Sequence, residues 1–366
     1  MRLGLIRLPA SDRELTKGAW VSRNLVAVVS SVLFVVFAVA IVLIPVPFVT
    51  WRPGQTVDVL GGTEEGPLIE ISGLPVSSSG GTLLMTTVST TRVDSNVSLP
   101  EALIAHVAED SDALPREILY PAGKSYEEVQ SEAVALMDTS RGNATVAALR
   151  AAGQTVTEMP MIAAVTLSGP ANGVLQPGDL VEAIDDTPVS RREDIQDAIR
   201  RRGVGEPVVF RVIRGGDILS LTVTTVQGTD GHPSIGIRIT TGYRYAPTVT
   251  YRIDPVIVGP SAGLVFALAV YDRITDGVLP EGAVVAGTGA IDAAGKVSAI
   301  GGVREKIKGA EKAGATIFLM PRANCQDLGV LNTSIRLVPV TTLKDAIAAL
   351  QLLEEGKTDE EVPTCG

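Results

Sequence analysis

Leu25–Ile44 is an apolar run without one charged side chain, and its only polar residues are Ser30 and Ser31. A run of this length has one economical structure, a helix that satisfies its own backbone while crossing a bilayer core. Before it stand Arg2, Arg7, Arg13, Lys17 and Arg23, against Asp12 and Glu14. A basic flank stays on the cytoplasmic side. The expected plan is a cytoplasmic tail over 1–23, a single-pass cell-membrane helix over 24–47, and an extracytoplasmic chain beyond it. Trp20 and Trp51 would anchor the two interfaces. The rival reading is a cleaved signal peptide. Ala38-Val39-Ala40 offers a site for it, but the apolar run continues past that site through Val46.

The 366 residues carry a net charge of −10. Because the first residues are basic, the remainder is more acidic than this total. No long basic stretch follows, so a nucleic-acid partner is not expected. Arg191-Arg192 and Arg200-Arg201-Arg202 read as a solvated helix face and a helix end. The chain has two cysteines, Cys325 and Cys365. An oxidising compartment permits a disulfide that pins the acidic tail over 354–366, and two free thiols are the open alternative.

Gly259-Pro260-Ser261-Ala262-Gly263 fits the G-x-S-x-G pattern, in which glycines allow a tight turn that projects a serine hydroxyl. Leu264–Ile274 is apolar at helical spacing, so Ser261 is placed at a helix N-terminus. The backbone N–H groups of Ser261 and Ala262 there could hold an oxyanion. A serine needs a base. His106 and His232 both precede Ser261, which is the wrong chain order for an α/β-hydrolase triad. A lysine base is the remaining option. Gly301-Gly302 opens a helix from about Val303 to Ala313. On it Val303, Ile307, Ala310 and Ala313 form an apolar stripe, and Arg304, Glu305, Lys308 and Lys312 form the opposite face. Lys306 alone among the charged residues falls inside the apolar sector. Desolvation there would free the amine near neutral pH. The bland alternatives are an ordinary turn at the serine and a lysine that snorkels outward.

These residues resemble a family. GPSAG, the pair Thr288-Gly289 and GGVREKIKGAEKAGA resemble the proteolytic domain of Lon proteases, the Ser–Lys peptidases. The resemblance implies that Ser261 is the nucleophile, that Lys306 is the general base, and that Thr288 orients the lysine. Val258 stands where ATP-dependent members carry an acidic residue, and Ala290 where a glutamate often follows Thr-Gly. Both departures bear on the cleft's substrate preference.

Upstream, Thr82–Thr90 reads as a strand. Helices are expected near Pro100–Ala108, Tyr126–Met137 and Asn143–Ala152. Met137-Asp138-Thr139-Ser140 with Ala147-Ala148-Leu149 resembles the early helix of a Lon proteolytic domain, which would begin near residue 80. Between its parts lies an insertion over 154–228. It has turns at Gly178-Asp179 and Asp185-Asp186, a helix opened by Ser190 and Glu193 with Ile195, Ala198 and Ile199 on its apolar face, and a hairpin across Gly215-Gly216. This order resembles a bacterial PDZ domain, a class that binds peptide ends by strand addition. The open edge is expected near Met161–Thr166, with no Gly-hydrophobic-Gly carboxylate loop evident at Glu158-Met159-Pro160.

The expected fold class is therefore α+β: a single N-terminal transmembrane helix and a Lon-type proteolytic domain with a PDZ-like insertion. The expected domains are a membrane-proximal segment over 48–79, a first protease part over 80–153, the PDZ-like domain over 154–228, the catalytic part over 229–353, and the acidic tail. Neither Gly123-Lys124-Ser125 nor Gly289–Lys296 completes a P-loop, and no H-E-x-x-H string or Cys/His cluster occurs. No nucleotide, other cofactor or metal is expected. The whole resembles the PDZ-containing, membrane-anchored, ATP-independent Lon-like serine proteases of bacteria. The resemblance implies cleavage of unfolded or flexible extracytoplasmic or membrane-associated proteins, with homo-oligomers left open. The alternative is a catalytically inert, membrane-tethered PDZ adaptor.

Overall fold

The computed structural model describes residues 11–64, 66–77, 80–92, 95–356 and 361–365, with side chains described from residue 24 onward. Arg2 and Arg7 lie outside the described residues, as do 357–360 and 366 of the acidic tail. The chain opens with α1 (Ser11–Leu43), followed by β1 (Phe48–Asp58), β2 (Thr82–Thr90), α2 (Leu99–Val107), β3 (Asp112–Pro115) and α3 (Tyr126–Ala151). A second unit follows, with β4 (Thr157–Val165), β5 (Leu180–Ile184), α4 (Arg192–Arg200), β6 (Pro207–Arg214), β7 (Asp217–Thr224) and β8 (Ile237–Arg244). The chain then returns to the first unit through α5 (Gly263–Ile274), β9 (Val284–Gly287), α6 (Val303–Lys312), β10 (Ile317–Pro321), β11 (Arg336–Val340) and α7 (Leu343–Glu354).

Strand order in the first unit is β11-β10-β9-β2-β1-β3. β2, β9, β10 and β11 run parallel, and β1 runs antiparallel to both β2 and β3. Successive side chains on a strand face opposite ways, and here both faces are apolar. Leu83, Met85, Ile317 and Leu319 pack toward α3, α5 and α7. Leu84, Phe318 and Met320 pack toward Val303, Ile307 and Ala310 of α6. The sheet thus separates α5, with its serine turn, from α6, with its lysine.

Several expectations are corrected. Asn24–Leu43 is helical, long and apolar enough to span a membrane, and none of it is buried in the protein. Trp51, however, is not an interfacial anchor. It lies on β1 with its ring against Gly301 and Gly302, where an added Cβ on Gly301 would come within 2.6 Å of the ring. The segment over 48–79 is not merely membrane-proximal, because β1 pairs with β2 from Trp51 to Asp58 inside the central sheet. The two helices expected around Met137 and Asn143 are one helix, α3. Gly142 does not break it, since it is flanked by residues that bury against α5. α3 begins with a capping box of Ser125 and Glu128, and Lys124 pairs with Glu132, so Gly123-Lys124-Ser125 serves as a helix start.

The second unit has its own core around Ile162, Ile184, Ile195, Phe210 and Ile235. Its strands run β7-β6-β5-β4-β8. Both expected turns form. Gly178, Asp185 and Asp186 take positive φ, and the expected hairpin forms as well, with Gly215-Gly216 joining β6 to β7 and Arg214 opposite Asp217. The cap of α4 is shifted by one residue: Arg191 is the N-cap, and the Asp194 carboxylate accepts from the N–H groups of Ser190 and Arg191. The unit also extends past the expected end at 228, because β8 pairs along β4 from Val165 to Thr157. Cys325 and Cys365 are joined by a disulfide, which settles the alternative of free thiols. Val362 packs into the core, so the end of the chain returns to the body of the first unit.

Candidate active site

The serine turn and the lysine helix approach the same strand end from opposite faces of the sheet. Gly259 has φ +96, a conformation a side chain would strain, and it turns the chain into the short 3-10 turn Pro260–Ala262 that leads to α5. The second glycine of the motif has a different task. Gly263 is helical, and a Cβ there would lie 2.8 Å from both Ile291 Cγ2 and Ser140 Oγ. Ser140 on α3 donates to the Pro260 carbonyl at 3.0 Å, and Asn143 donates to the Ile291 carbonyl at 3.2 Å. The turn that holds Ser261 is therefore fixed from α3 as well as from its own helix.

α6 starts at Gly302, which is left-handed with φ +70. A side chain at that position would strike Val88 at 2.7 Å. This close seating on β1 and β2 buries more of α6 than a stripe one residue wide. Lys306 is 3 % exposed, as its place on the apolar stripe predicts. Glu305, expected on the solvent face, is buried too at 5 %, and Ala313, expected on the stripe, is exposed beyond the last turn. Burial lowers the Lys306 pKa from its ordinary range to about 7, while the Glu305 charge opposes that shift. Burial raises the pKa of the Glu305 carboxyl in turn.

Thr288 stands just past the end of β9, fully buried, between the two layers. Lys306 Nζ donates to Thr288 Oγ1 at 3.1 Å, and Thr288 Oγ1 donates to the Ser261 carbonyl at 3.1 Å. The N–H of Gly289 also donates to that carbonyl at 2.8 Å, and the Gly289 carbonyl accepts from the Leu264 N–H at 2.9 Å. Ser261, Thr288 and Lys306 are thereby brought together through the threonine. Among the described residues Ser261 Oγ has no hydrogen-bond partner, and the direct Ser–Lys bond is not closed. Catalytic bonds of this kind often tighten only around bound substrate. The Ser261 and Ala262 N–H groups lie in the opening turn, where helix donors lack intrahelical acceptors. His106, by contrast, sits on α2 and bonds Asp112, and His232 lies exposed in a loop of the second unit.

Sequence reasoning missed Ser140, Asn143 and Trp51. The first two lie on α3, where polar residues within a buried helical stretch were the available signal.

The second unit presents a groove of about 280 Å³ between α4 and β8. The expected open edge, Met161–Thr166, is interior, since β4 is paired with β8 on one side and with β5 on the other. The edge strand on this side of the sheet, beside α4, is β8, and β7 is the edge on the other. Ile199, Ile237 and Ile239 line the groove, and Arg192, Arg200 and Arg238 rim it. At its end Ser234-Ile235-Gly236-Ile237 forms a turn with Gly236 at φ +73. This turn, unlike Glu158-Met159-Pro160, places a glycine between two isoleucines at the start of the edge strand, although Ser234 stands where a Gly-hydrophobic-Gly pattern has its first glycine.

Residues 257–352 match the Lon protease (S16) C-terminal proteolytic domain, and residues 142–225 match a PDZ domain. The PDZ match stops short of β8. Lon protease 1 of Herpetosiphon aurantiacus is 30% identical over 161 residues, covering 37% of this chain and 19% of that protein. The Lon protease of Roseiflexus castenholzii is 44% identical over 78 residues, covering 21% of this chain and 10% of that protein. This chain thus spans a fifth or less of the length of these two relatives. Among solved structures, the PDZ domain of the SdrC-like protein from Listeria monocytogenes is 26% identical, covering 22% of this chain and 86% of that one, with a TM-score of 0.21.

Proposed function

From a chain that carries a Lon-type (S16) proteolytic domain, a PDZ domain and one apolar N-terminal helix, we propose a membrane-anchored serine endopeptidase that works without ATP. The observation that carries this reading is the buried Lys306 amine, held 3.1 Å from the Thr288 hydroxyl that bonds the serine's own carbonyl. A neutral amine has one lone pair. Donating one N–H to Thr288 sets the rotation of the amine, and the lone pair is then available to the Ser261 hydroxyl. Ser261 Oγ attacks the scissile carbonyl as Lys306 takes its proton, and the resulting ammonium protonates the leaving amine. The Ser261 and Ala262 N–H groups bind the oxyanion. Water then repeats the sequence on the acyl-enzyme.

Without an unfoldase, substrates are unfolded or flexible extracytoplasmic and membrane-associated segments. The PDZ groove recruits peptide ends by adding a strand to β8, with apolar side chains against Ile199 and Ile239 and a carboxylate at the Gly236 turn. Two observations support an extracytoplasmic catalytic unit. One is the basic flank before the apolar run of α1, and the other is the Cys325–Cys365 disulfide, a bond that persists in oxidising compartments.

The test uses the full chain in detergent, with dye-labelled casein as a flexible substrate and a fluorophosphonate probe. Cleavage that needs no nucleotide, together with probe labelling of Ser261 that is lost in Lys306→Ala, is the expected result. A folded protein that neither cleaves nor labels would instead be a tethered PDZ adaptor. Cleavage that depends on added ATP would overturn the energy-independent part alone.

A further inference from the structure

α2 has its inside and outside in the wrong places for a helix meant to face water. Ala102 and Ala105 are buried against the protein, while Leu103, Ile104 and Val107 stand outward at 57 %, 66 % and 79 % exposure. The position of this apolar face is not arbitrary. Just past α1, Pro45 and Val46 pair with Ser98 and Val97, so the first residue of α2 follows directly from a strand bonded to the anchor's exit. The N–H of Arg116 donates to the Pro47 carbonyl at 2.9 Å, which ties the turn Arg116–Ile118 to the same exit. Ile118 in that turn is exposed as well. Two apolar projections therefore lie next to the point where an apolar helix leaves the fold.

The polar groups around this face are drawn off to the side. Glu101 pairs with Arg52 at 3.2 Å, Asp110 with Lys312 at 2.9 Å, and Asp112 bonds His106 at 3.2 Å. Glu109, two residues past Val107, and Glu117, beside Ile118, are by contrast exposed, so two acidic side chains stand at the edge of the apolar face, at headgroup level. An apolar helix face turned outward beside the exit of a membrane-spanning helix is placed where a bilayer interface would cover it.

We propose that Leu103, Ile104 and Val107 of α2, together with Ile118, lie in the lipid interface of the membrane that α1 crosses. The anchor then holds the proteolytic unit at two places, as a span and as a surface contact, so that the unit cannot swing freely about Pro45–Pro47. This inference rests on the anchor reading above.

The test places a nitroxide on one engineered cysteine at a time in the full chain, with Cys325 and Cys365 left paired. The protein is reconstituted into phosphatidylethanolamine–phosphatidylglycerol vesicles. Labels go at Leu103→Cys, Ile104→Cys and Val107→Cys, with Val35→Cys in α1 and Leu167→Cys in the PDZ unit as references. The readout is the ratio of accessibility to oxygen over accessibility to a water-soluble nickel chelate. The expected ratio at the α2 positions in vesicles is several-fold above that at Leu167. Ratios equal to Leu167 while Val35 reads as membrane-embedded would overturn the surface contact and leave the anchor standing. Labels immobilised and shielded from both reagents would assign the face to a second copy and also overturn it. A water-exposed Val35 would remove the anchor and the proposal together.

Discussion

The two sites of this molecule are built on opposite terms. Between α5 and α6 the polar groups are withdrawn from water, with Thr288 at 0 % and Lys306 at 3 % exposure. Along β8 the backbone stays open on one side, and the groove beside it is lined by buried and partly buried isoleucines and rimmed by arginines. Proton transfer needs an amine whose charge is costly, which only burial supplies here. Recognition of varied peptide ends needs unpaired donors and acceptors within reach of solvent. One fold can hold two such sites because the insertion leaves from the end of α3 and returns after β8, with each unit keeping a separate core.

The sharpest way to break this contrast is to remove the chemistry alone. Ser261→Ala and Lys306→Ala are each expected to lower kcat on casein by about 10³-fold or more, with peptide binding to the PDZ groove unchanged in a fluorescence titration. Stability should move the other way at the lysine. Its native pKa is about 7 against an ordinary value of 10.5, so the folded state binds fewer protons than the unfolded state between these values. The penalty is full below about pH 7 and fades as pH rises toward 10. Lys306→Met is therefore expected to gain about 3–5 kcal/mol in denaturant unfolding at pH 7 and progressively less at higher pH.

The disulfide separates the units in another way. It ties the turn after β10 to the chain's end beside α6, inside the first unit. Cys325→Ser should cost about 2–4 kcal/mol in the calorimetric transition of the proteolytic unit and leave that of the PDZ unit in place. Thr288→Val removes the acceptor for Lys306 Nζ. A fall in kcat of up to about 100-fold is expected, with the acid limb of the pH profile moved to lower pH because the ammonium has lost a partner. The smallest effect belongs to the groove. Ile239→Ala should weaken binding of an apolar C-terminal peptide by about 3- to 10-fold and leave cleavage of a short peptide unaffected.

The unequal legibility of the two sites follows from the same contrast. Ser261, Thr288 and Lys306 could be picked out from a turn motif, a dipeptide and a helical stripe, all of them local patterns. The stripe failed at Glu305, since its burial depends on how closely Gly302 lets α6 sit against Trp51 and Val88, a distance no helical period encodes. The groove failed more fully. Which strand is the sheet's edge depends on pairing between Thr157–Val165 and Ile237–Arg244, far apart in the chain. The strand that fills the expected edge lies beyond the point where the recognisable pattern ends. Trp51 misled for a related reason: next to an apolar run it reads as an interfacial anchor, whereas its alternation along β1 turns it toward α6.

The central claim is that a desolvated amine at position 306 activates the hydroxyl at 261, and the rate of fluorophosphonate labelling of Ser261 against pH tests it most directly. Labelling in the unaltered protein should rise along a single titration with a midpoint near pH 7, and in Lys306→Ala that titration should vanish along with most of the rate. A midpoint near the ordinary lysine value, or the same profile in both proteins, would contradict it.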